Sequence, residues 1–261
     1  MFPQTWLHKL LFRPTHLSKT EAHDIAQQGR LTPWLHNDKQ IGWKRLSNTD
    51  QKSTPPRVLV LHGNGGEAVH RSYLADHLEF ITAPSPADFY ILEYPGYSSR
   101  EGEASQNALV EAAAKAIDIL AAQSAAPIVV WGQSLGTGVA CQLAATRPDA
   151  ITGILLITPF ASIVDVAKYH YPWAPIKLFW KNRPDRFDSS LALKNYHGPI
   201  SFLLAGNDKV VPMKFGEQLY EDYDGPKLLF VAPDGGHNDL TSTLPINDWK
   251  KAWKFSSQPS D

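Results

Sequence analysis

The sequence is poor in cysteine and carries almost no net charge. Its single cysteine, Cys141, excludes a disulfide within the chain, and the apolar helical run around it favours a buried, unreactive thiol. Lysine and arginine total 25 against 26 aspartates and glutamates, so the net charge of −1 gives no overall attraction to nucleic acid. The 261 residues contain no repeat and no low-complexity block. We therefore expect one domain over residues 1–261 and no nucleic-acid partner.

Long hydrophobic runs are also lacking. The N-terminal stretch MFPQTWLHKLLFRP is too short to span a bilayer and has no signal-peptide cleavage pattern. Its apolar residues recur at helical spacing: Trp6, Leu7, Leu10 and Leu11. We interpret them as a helix docked on the edge of its own domain, within an N-terminal extension of residues 1–39. Contact with a membrane surface is the alternative. The expected location is the cytoplasm, with peripheral membrane attachment under that alternative.

What the chain does have is a series of short apolar runs rich in β-branched residues. They are VLVLH (58–62), FYILEY (89–94), IVVWG (128–132), GILLIT (153–158), ISFLLAG (200–206) and LLFVA (228–232). Runs of this kind are typical of strands buried on both faces of a parallel sheet. Helical patterns separate them, over residues 135–145, over 213–220 and after Ser105, a candidate N-cap. The alternation predicts an α/β fold with a doubly wound, mostly parallel sheet.

The segment GQSLG places Ser134 between Gly132 and Gly136. A lone G-x-S-x-G occurs by chance, and a glycine-rich bend without chemistry is the alternative. Here, however, the motif directly follows a predicted strand and directly precedes a predicted helix, which is the setting of a nucleophile elbow. Glycine on both sides removes collisions with the strand and the helix, and the helix N-terminus faces a developing oxyanion. Ser134 is therefore the candidate nucleophile.

A serine nucleophile needs a base, and the base needs an acid that holds its tautomer. In this fold the acid follows the serine and the histidine comes last. His237 lies on a glycine-rich loop just past the strand at 228–232, whereas His197 precedes a strand and falls at the opposite edge. Asp208 follows the strand at 200–206, and its rival Asp165 lies in a helical pattern. We expect Asp208 and His237 to complete the catalytic group.

The oxyanion is expected to bind two backbone amides. One is the amide of Leu135, directly after the candidate nucleophile. The other is assigned to Asn64, in the loop HGNGGEA that follows the strand at 58–62. Metal binding by His62 and His70 is the alternative for this loop, but their spacing does not form a helical metal pair. We expect no metal and no cofactor.

With these pieces in place, the chain from residue 40 onward resembles the α/β-hydrolase superfamily. The resemblance lies in six ordered motifs: HGNGG, EYPGYSSREG, GQSLGTGVA, TPFASI, GNDKVVP and GGHNDL. Together they are similar to a branch of small serine hydrolases that includes membrane-associated protein depalmitoylases and orphan hydrolases. The resemblance implies Ser134, Asp208 and His237 as a catalytic triad. One departure is Ser98, where relatives usually carry glycine.

These observations predict a cofactor-independent serine hydrolase acting on a small-molecule carboxylic ester or thioester. Acyl-protein thioesterase, serine peptidase and an inactive binding scaffold are the alternatives. Residues 162–196 are longer than a minimal crossover and rich in aromatic residues. These are Tyr169, Tyr171, Trp173, Phe179 and Trp180. They pack on the sheet as part of a crossover helix or form a small cap that lines an acyl pocket, and the two roles are compatible.

Overall fold

All six apolar runs form strands of one sheet in the computed structural model. The structure describes residues 8–9, 11–48, 54–180 and 183–258, without the side chain of Phe179. The strands are β1 (Thr32–His36), β2 (Lys39–Arg45), β3 (Arg57–Leu61), β4 (Asp88–Leu92), β5 (Ile128–Gln133), β6 (Gly153–Ile157), β7 (Ile200–Ala205) and β8 (Lys227–Ala232). The eight-stranded sheet has the order β1-β2-β4-β3-β5-β6-β7-β8. The strands from β4 to β8 are parallel, which confirms the mostly parallel sheet.

Two further strands, β1 and β2, form an antiparallel hairpin that sequence analysis missed. Their turn contains Asn37 and Asp38, both at positive φ (50° and 59°), which is the backbone of a two-residue hairpin turn. β2 pairs antiparallel with β4, so the hairpin extends one edge of the sheet. β1 therefore lies within the N-terminal extension expected at residues 1–39 and belongs to the same sheet as the rest of the chain.

Helices cover both faces of the sheet. The helices among the described residues are α1 (Lys19–Gln28), α2 (Ser72–Thr82), α3 (Gln106–Gln123), α4 (Leu135–Thr146), α5 (Ile163–His170), α6 (Ile176–Trp180), α7 (Ser189–Ala192), α8 (Lys214–Asp222), α9 (Leu240–Thr243) and α10 (Ile246–Ser257). The apolar residues of α3 and α4 join one buried cluster with Val130 of β5, and those of α2 and α10 join another with its neighbour Val129. Alternate residues of a central strand thus face two helical layers, which confirms the doubly wound α/β architecture.

Local signals explain where these helices begin and which side they bury. The Ser105 hydroxyl accepts a hydrogen bond from the amide of Ala108 at 3.1 Å and caps α3, as its position predicts. The predicted stripe of α3, including Leu109 and Ile117, is buried. Burial also raises the pKa of the Cys141 thiol in α4 to about 12, which agrees with an unreactive cysteine. None of the helices within the described residues combines the length and the apolar character that crossing a membrane requires.

The N-terminal segment lies against the domain. Leu11 and Phe12 are buried in the same core as β3 and α3, and the Phe12 ring lies 6.3 Å from that of Phe187. Trp6, Leu7 and Leu10 lie outside the described residues. Docking of the whole stripe on the domain therefore stays a prediction, as does its alternative, contact with a membrane.

Residues 162–196 contain α5, α6 and α7. Trp180 is fully buried, and its Nε1 donates to the carbonyl of Asp185 at 2.7 Å, so this ring is part of the core. Trp173 is 67% exposed and Tyr169 is 50% exposed. The aromatic residues of this region are thus divided between the core and the surface, and α5 supplies the wall of the cavity described below.

Candidate active site

Ser134 lies at a sharp turn between β5 and α4. Its backbone is in an unusual conformation for a residue with a side chain, with φ 52° and ψ −118°, and its amide donates to the carbonyl of Ile157 at 2.9 Å. A Cβ at Gly136 would lie 1.9 Å from the carbonyl oxygen of Leu61, and one at Gly132 would lie 2.7 Å from the carbonyl oxygen of Gly136. Both flanking positions therefore require glycine, as the elbow motif predicts.

His237 joins Ser134 to Asp208 through its two ring nitrogens. Nδ1 donates to Asp208 Oδ2 at 2.7 Å, and Nε2 accepts from Ser134 Oγ at 2.9 Å. The three residues follow β5, β7 and β8, whose carboxyl ends meet at one edge of the sheet. Three side chains separated by up to 103 positions in the sequence thus form one continuous hydrogen-bonded line.

The carboxylate of Asp208 is held in place by its own loop. Its Oδ1 accepts from the amides of Val210 and Val211, both at 2.8 Å, which leaves Oδ2 for the imidazole. The side chain is only 1% exposed. The rival acid Asp165 lies exposed on α5, and the rival base His197 lies exposed in the segment before β7. The structure therefore brings together the three residues that chain order favours and keeps both rivals apart from them.

The loop after β3 packs directly on the elbow. A Cβ at Gly63 would lie 3.3 Å from the Cβ of Ser134, so the backbone of this loop closely approaches the candidate nucleophile. The side-chain oxygen of Asn64 accepts from the amide of Arg13 at 2.8 Å and from the hydroxyl of Tyr97 at 3.1 Å. Asn64 and Leu135 both line the cavity that contains Ser134, where the two expected oxyanion amides belong. Their role as donors stays a prediction.

His62 contacts this loop and the core beneath it. Its Nδ1 donates to the carbonyl of Gly63 at 2.8 Å, its ring lies 4.2 Å from that of Tyr94, and its Nε2 lies 3.6 Å from Glu93 Oε1. His70 points to another partner, Glu67, with Nδ1 and Oε2 2.6 Å apart. Among the described residues no group of three or more histidines, cysteines or carboxylates is arranged to hold a metal ion.

A cavity of about 550 Å³ opens at Ser134. One wall of the cavity is apolar and is formed by α5, the loop before α5 and the loop after β7. Its residues are Phe160, Ile163, Val166, Ala167, Val210 and Val211. His170 Nε2 lies 2.8 Å from the carbonyl of Val210, which joins these two parts of the wall. α5 therefore acts as the lining that residues 162–196 were expected to supply, although neither Trp173 nor Trp180 lines this cavity.

Sequence analysis missed three cationic residues that line the same cavity: Arg13, Arg71 and Lys209. Lys209 had a signal, because it follows the expected acid directly in GNDKVVP. Arg71 follows the glycine-rich loop in the sequence. No sequence pattern near Arg71 indicates that its Nη2 donates to the carbonyl of Gly65 at 2.5 Å. Arg13 reaches the site only because the N-terminal segment forms a bridge with Gly65, which no local pattern predicts.

Comparison with known proteins agrees with this geometry. The family model of the alpha/beta hydrolase fold matches residues 56–192, which is more than half of the chain. The chain belongs to the α/β-hydrolase family. The match spans β3 to α7 of this hydrolase, including the elbow at Ser134. It confirms the superfamily, and placement in the branch with protein depalmitoylases stays a prediction.

Two sequence relatives and one solved structure illustrate how far the similarity extends. The hydrolase is 34% identical over 243 residues to an uncharacterized protein of Mycobacterium tuberculosis, with 92% of this chain and 83% of that protein covered. It is 28% identical over 216 residues to the lysophosphatidylserine lipase ABHD12 of Rattus norvegicus, which covers 71% of this chain and 51% of that protein. Among solved structures it is similar to Est1E from Butyrivibrio proteoclasticus, with TM-score 0.64, 12% identity, and coverage of 86% and 96% of the two chains. The last comparison supports the fold alone.

Proposed function

We propose that this α/β-hydrolase cleaves carboxylic esters or thioesters through an acyl-enzyme on Ser134. The observation that carries the proposal is the line from Ser134 Oγ through His237 to Asp208, with contacts of 2.9 and 2.7 Å. Such a line gives a serine hydroxyl the base that it lacks on its own. The strained backbone of Ser134 supports the same role, since residues in such conformations cluster at active sites.

The proposed reaction begins when His237 Nε2 takes the proton of Ser134 Oγ and the oxygen attacks the substrate carbonyl. Asp208 keeps the proton of the imidazole on Nδ1 and stabilises the imidazolium that forms. The amides of Asn64 and Leu135 would bind the negative oxygen of the tetrahedral intermediate. The imidazolium then protonates the leaving alcohol or thiol, and a water molecule, deprotonated by His237, hydrolyses the acyl-enzyme.

The cavity supports a substrate with an apolar part. Side chains of α5 and of the loop after β7 give one apolar wall beside Ser134, which suits an acyl chain. The rat relative that is named a lysophosphatidylserine lipase supports the same class, because its name describes an enzyme that acts on a lipid ester. We therefore place a fatty acyl ester ahead of a peptide bond as the substrate of this hydrolase.

The test combines labelling and turnover. The wild-type protein should react with a fluorophosphonate probe and hydrolyse short acyl esters, and Ser134→Ala should lose both. We expect turnover to fall by about 10⁶-fold, the usual cost of removing a triad nucleophile. Ser85→Ala is the matched control, because Ser85 is an exposed serine in the loop before β4. Labelling that persists in Ser134→Ala, or a wild-type protein that is never labelled, would refute the proposal.

A further inference from the structure

The cavity beside Ser134 carries a charge that the chain as a whole does not. The sequence has a net charge of −1, yet three cationic side chains line this cavity: Arg13, Arg71 and Lys209. No aspartate or glutamate is among the described residues that line it. The carboxylate of Asp208 lies behind His237 and is 1% exposed, so it does not present its charge to the cavity. The site is therefore locally positive in a nearly neutral protein.

These three cations have no carboxylate partner among the described residues, whereas three other arginines of the protein have one. Arg30 and Arg45 share Asp76 and Glu79 at 2.6 to 3.1 Å, and Arg147 lies 2.8 Å from Asp118. Within the described part of the chain, no ion pair includes Arg13, Arg71 or Lys209. Unpaired cations gathered around a cavity favour an anionic ligand.

Each of these cations is attached to the reaction centre by a separate element. Arg13 is placed by its backbone, which donates to Asn64 Oδ1 at 2.8 Å and bridges to Gly65. Arg71 donates through Nη2 to the carbonyl of Gly65 at 2.5 Å. Lys209 directly follows Asp208, whose carboxylate fixes the loop by accepting the amides of two valines. The guanidinium of Arg71 and the backbone at Arg13 and Lys209 are thus held beside the candidate nucleophile before any ligand arrives.

We propose that the substrate is an acyl ester that carries an anionic group, a phosphate or a carboxylate, on its alcohol or thiol part. Arg13, Arg71 and Lys209 bind the anion, and the apolar wall that includes Ile163 and Val166 receives the acyl chain. Such a molecule carries an ester, a charged group and an apolar chain, and the cavity that contains Ser134 is lined by both cationic and apolar residues. This inference rests on the proposed function and specifies its substrate class.

The first test compares hexanoyl esters that share the acyl chain and differ in the charge and structure of the head group: 1-hexanoylglycerol, 1-hexanoylglycerol 3-phosphate, the 3-O-hexanoyl ester of glycerate, and the zwitterionic glycerophosphocholine ester. We expect kcat/KM to be at least about ten-fold higher for an anionic ester than for the neutral one at low salt, and the advantage to shrink as salt rises. The phosphate and carboxylate esters distinguish the two sources of the anion. A neutral ester cleaved as efficiently as both anionic esters would overturn the inference.

The second test removes two of the cations in the variant Arg13→Gln/Lys209→Gln. Both side chains are exposed, so folding should be retained, and thermal unfolding checks this. Arg71 is left in place because it also supports the loop through Gly65. The ratio of kcat/KM for the anionic ester over the neutral ester should fall at least about ten-fold. Lys115→Gln, an exposed lysine of α3, is the matched control and should preserve the ratio. A preserved ratio in the double variant would overturn the inference.

A binding experiment separates this inference from the proposed reaction. Hexyl phosphate, hexanoate and hexanol are titrated by calorimetry into Ser134→Ala, which cannot form the acyl-enzyme. We expect at least one of the two anions to bind at least about ten-fold more tightly than the alcohol. Equal binding of all three would overturn the anionic site. If an anion binds preferentially but the wild-type protein cleaves no ester and resists labelling, the proposed reaction is wrong and the anionic site stands.

Discussion

His237 and His62 are both shielded from solvent, both follow the carboxyl end of a strand, and both lie beside a carboxylate. His237 Nδ1 lies 2.7 Å from Asp208, and its Nε2 lies 2.9 Å from Ser134 Oγ. His62 Nε2 lies 3.6 Å from Glu93, and its Nδ1 donates to the neighbouring carbonyl of Gly63. One imidazole bridges an acid and a hydroxyl, whereas the other ties a loop to the core.

The difference shows that proximity of a histidine and a carboxylate does not define a base. Asp208 has one oxygen occupied by two amides and presents the other to His237. Glu93 instead uses both oxygens on the amide of Ala68, each at 3.2 Å. What distinguishes His237 is a second ring nitrogen that reaches the cavity and the hydroxyl of Ser134. His62, which is fully buried, has no such access.

Exchanging each histidine for glutamine should separate the two roles most strongly. We expect His237→Gln to lower kcat by about 10⁶-fold and to leave the melting temperature nearly unchanged, because the lost function is chemical. His62→Gln should retain most of kcat, within about ten-fold, but should cost about 2 kcal/mol of stability through the lost packing and hydrogen bond. Ester hydrolysis and thermal unfolding measure the two effects. Equal loss of activity in both variants would make His62 part of the chemistry.

The carboxylates provide the next comparison. Asp208→Asn should reduce kcat by about 10⁴-fold, because an amide favours the wrong tautomer of His237. Glu93→Gln should change kcat by less than about ten-fold and should mainly lower the stability, since Glu93 supports the loop through Ala68. Asp165→Asn is the matched control, because Asp165 is exposed on α5 and should affect neither. Activity lost in Asp165→Asn and kept in Asp208→Asn would move the acid to the segment after β6.

The sequence predicts those parts of the molecule that depend on local pattern. Buried parallel strands are continuous apolar runs, and the elbow is a local motif between a strand and a helix, so both are readable from the chain. Chain order, together with the strand that each residue follows, then selects Asp208 and His237, because the carboxyl ends of parallel strands meet at one edge. The three residues are distant in sequence, but their order and their strands carry the necessary information.

The missed features depend on contacts between distant segments. β1 and β2 form an edge hairpin with mixed burial, so they lack the apolar runs that mark the central strands, although Asn37 and Asp38 were a usable turn signal. Arg13 lines the cavity only because the N-terminal segment forms a bridge with Gly65 of the glycine-rich loop, and no periodicity in the sequence indicates that contact. Ser98 has a φ of 51°, in the left-handed region that favours glycine, which agrees with the departure noted there in the sequence.

The aromatic residues at 162–196 allow the same comparison between residues that line the site and residues that stabilise the fold. The quantity that separates them is the preferred acyl length of the substrate. Trp180→Ala should cost about 3 kcal/mol of stability and leave the preferred acyl length unchanged, since its ring is buried away from the cavity. Trp173 is exposed, so Trp173→Ala should change the stability by no more than about 0.5 kcal/mol and the preferred acyl length by no more than about one carbon.

In a series of acyl esters, kcat/KM of the wild-type protein should be highest at short to medium chain length, with each buried methylene adding about 0.8 kcal/mol until the cavity is full. A preference for palmitoyl over butyryl would instead favour the depalmitoylase alternative.

A third histidine, half-buried and without a carboxylate partner in the described part of the chain, should contribute the smallest effect. His77 of α2 packs edge-on against Trp249 at 4.5 Å and Trp131 at 6.3 Å, and its Nε2 has no hydrogen-bond partner among the described residues. Burial lowers the pKa of His77 from 6.5 to about 4. Between these two pH values the ring binds a proton in the unfolded chain but not in the folded protein.

The contribution of His77 to stability is therefore complete above pH 6.5 and is lost as the pH falls toward 4. We expect the wild-type protein to lose about 1 kcal/mol more than His77→Phe over this interval, after allowance for solvent screening of a partly accessible ring. Urea unfolding of both proteins at pH 7, 5.5 and 4.5 measures the difference, in which other titrating groups cancel. If the two curves stay parallel, the pKa of His77 does not change on folding, and the packing around the ring does not disfavour its charged form.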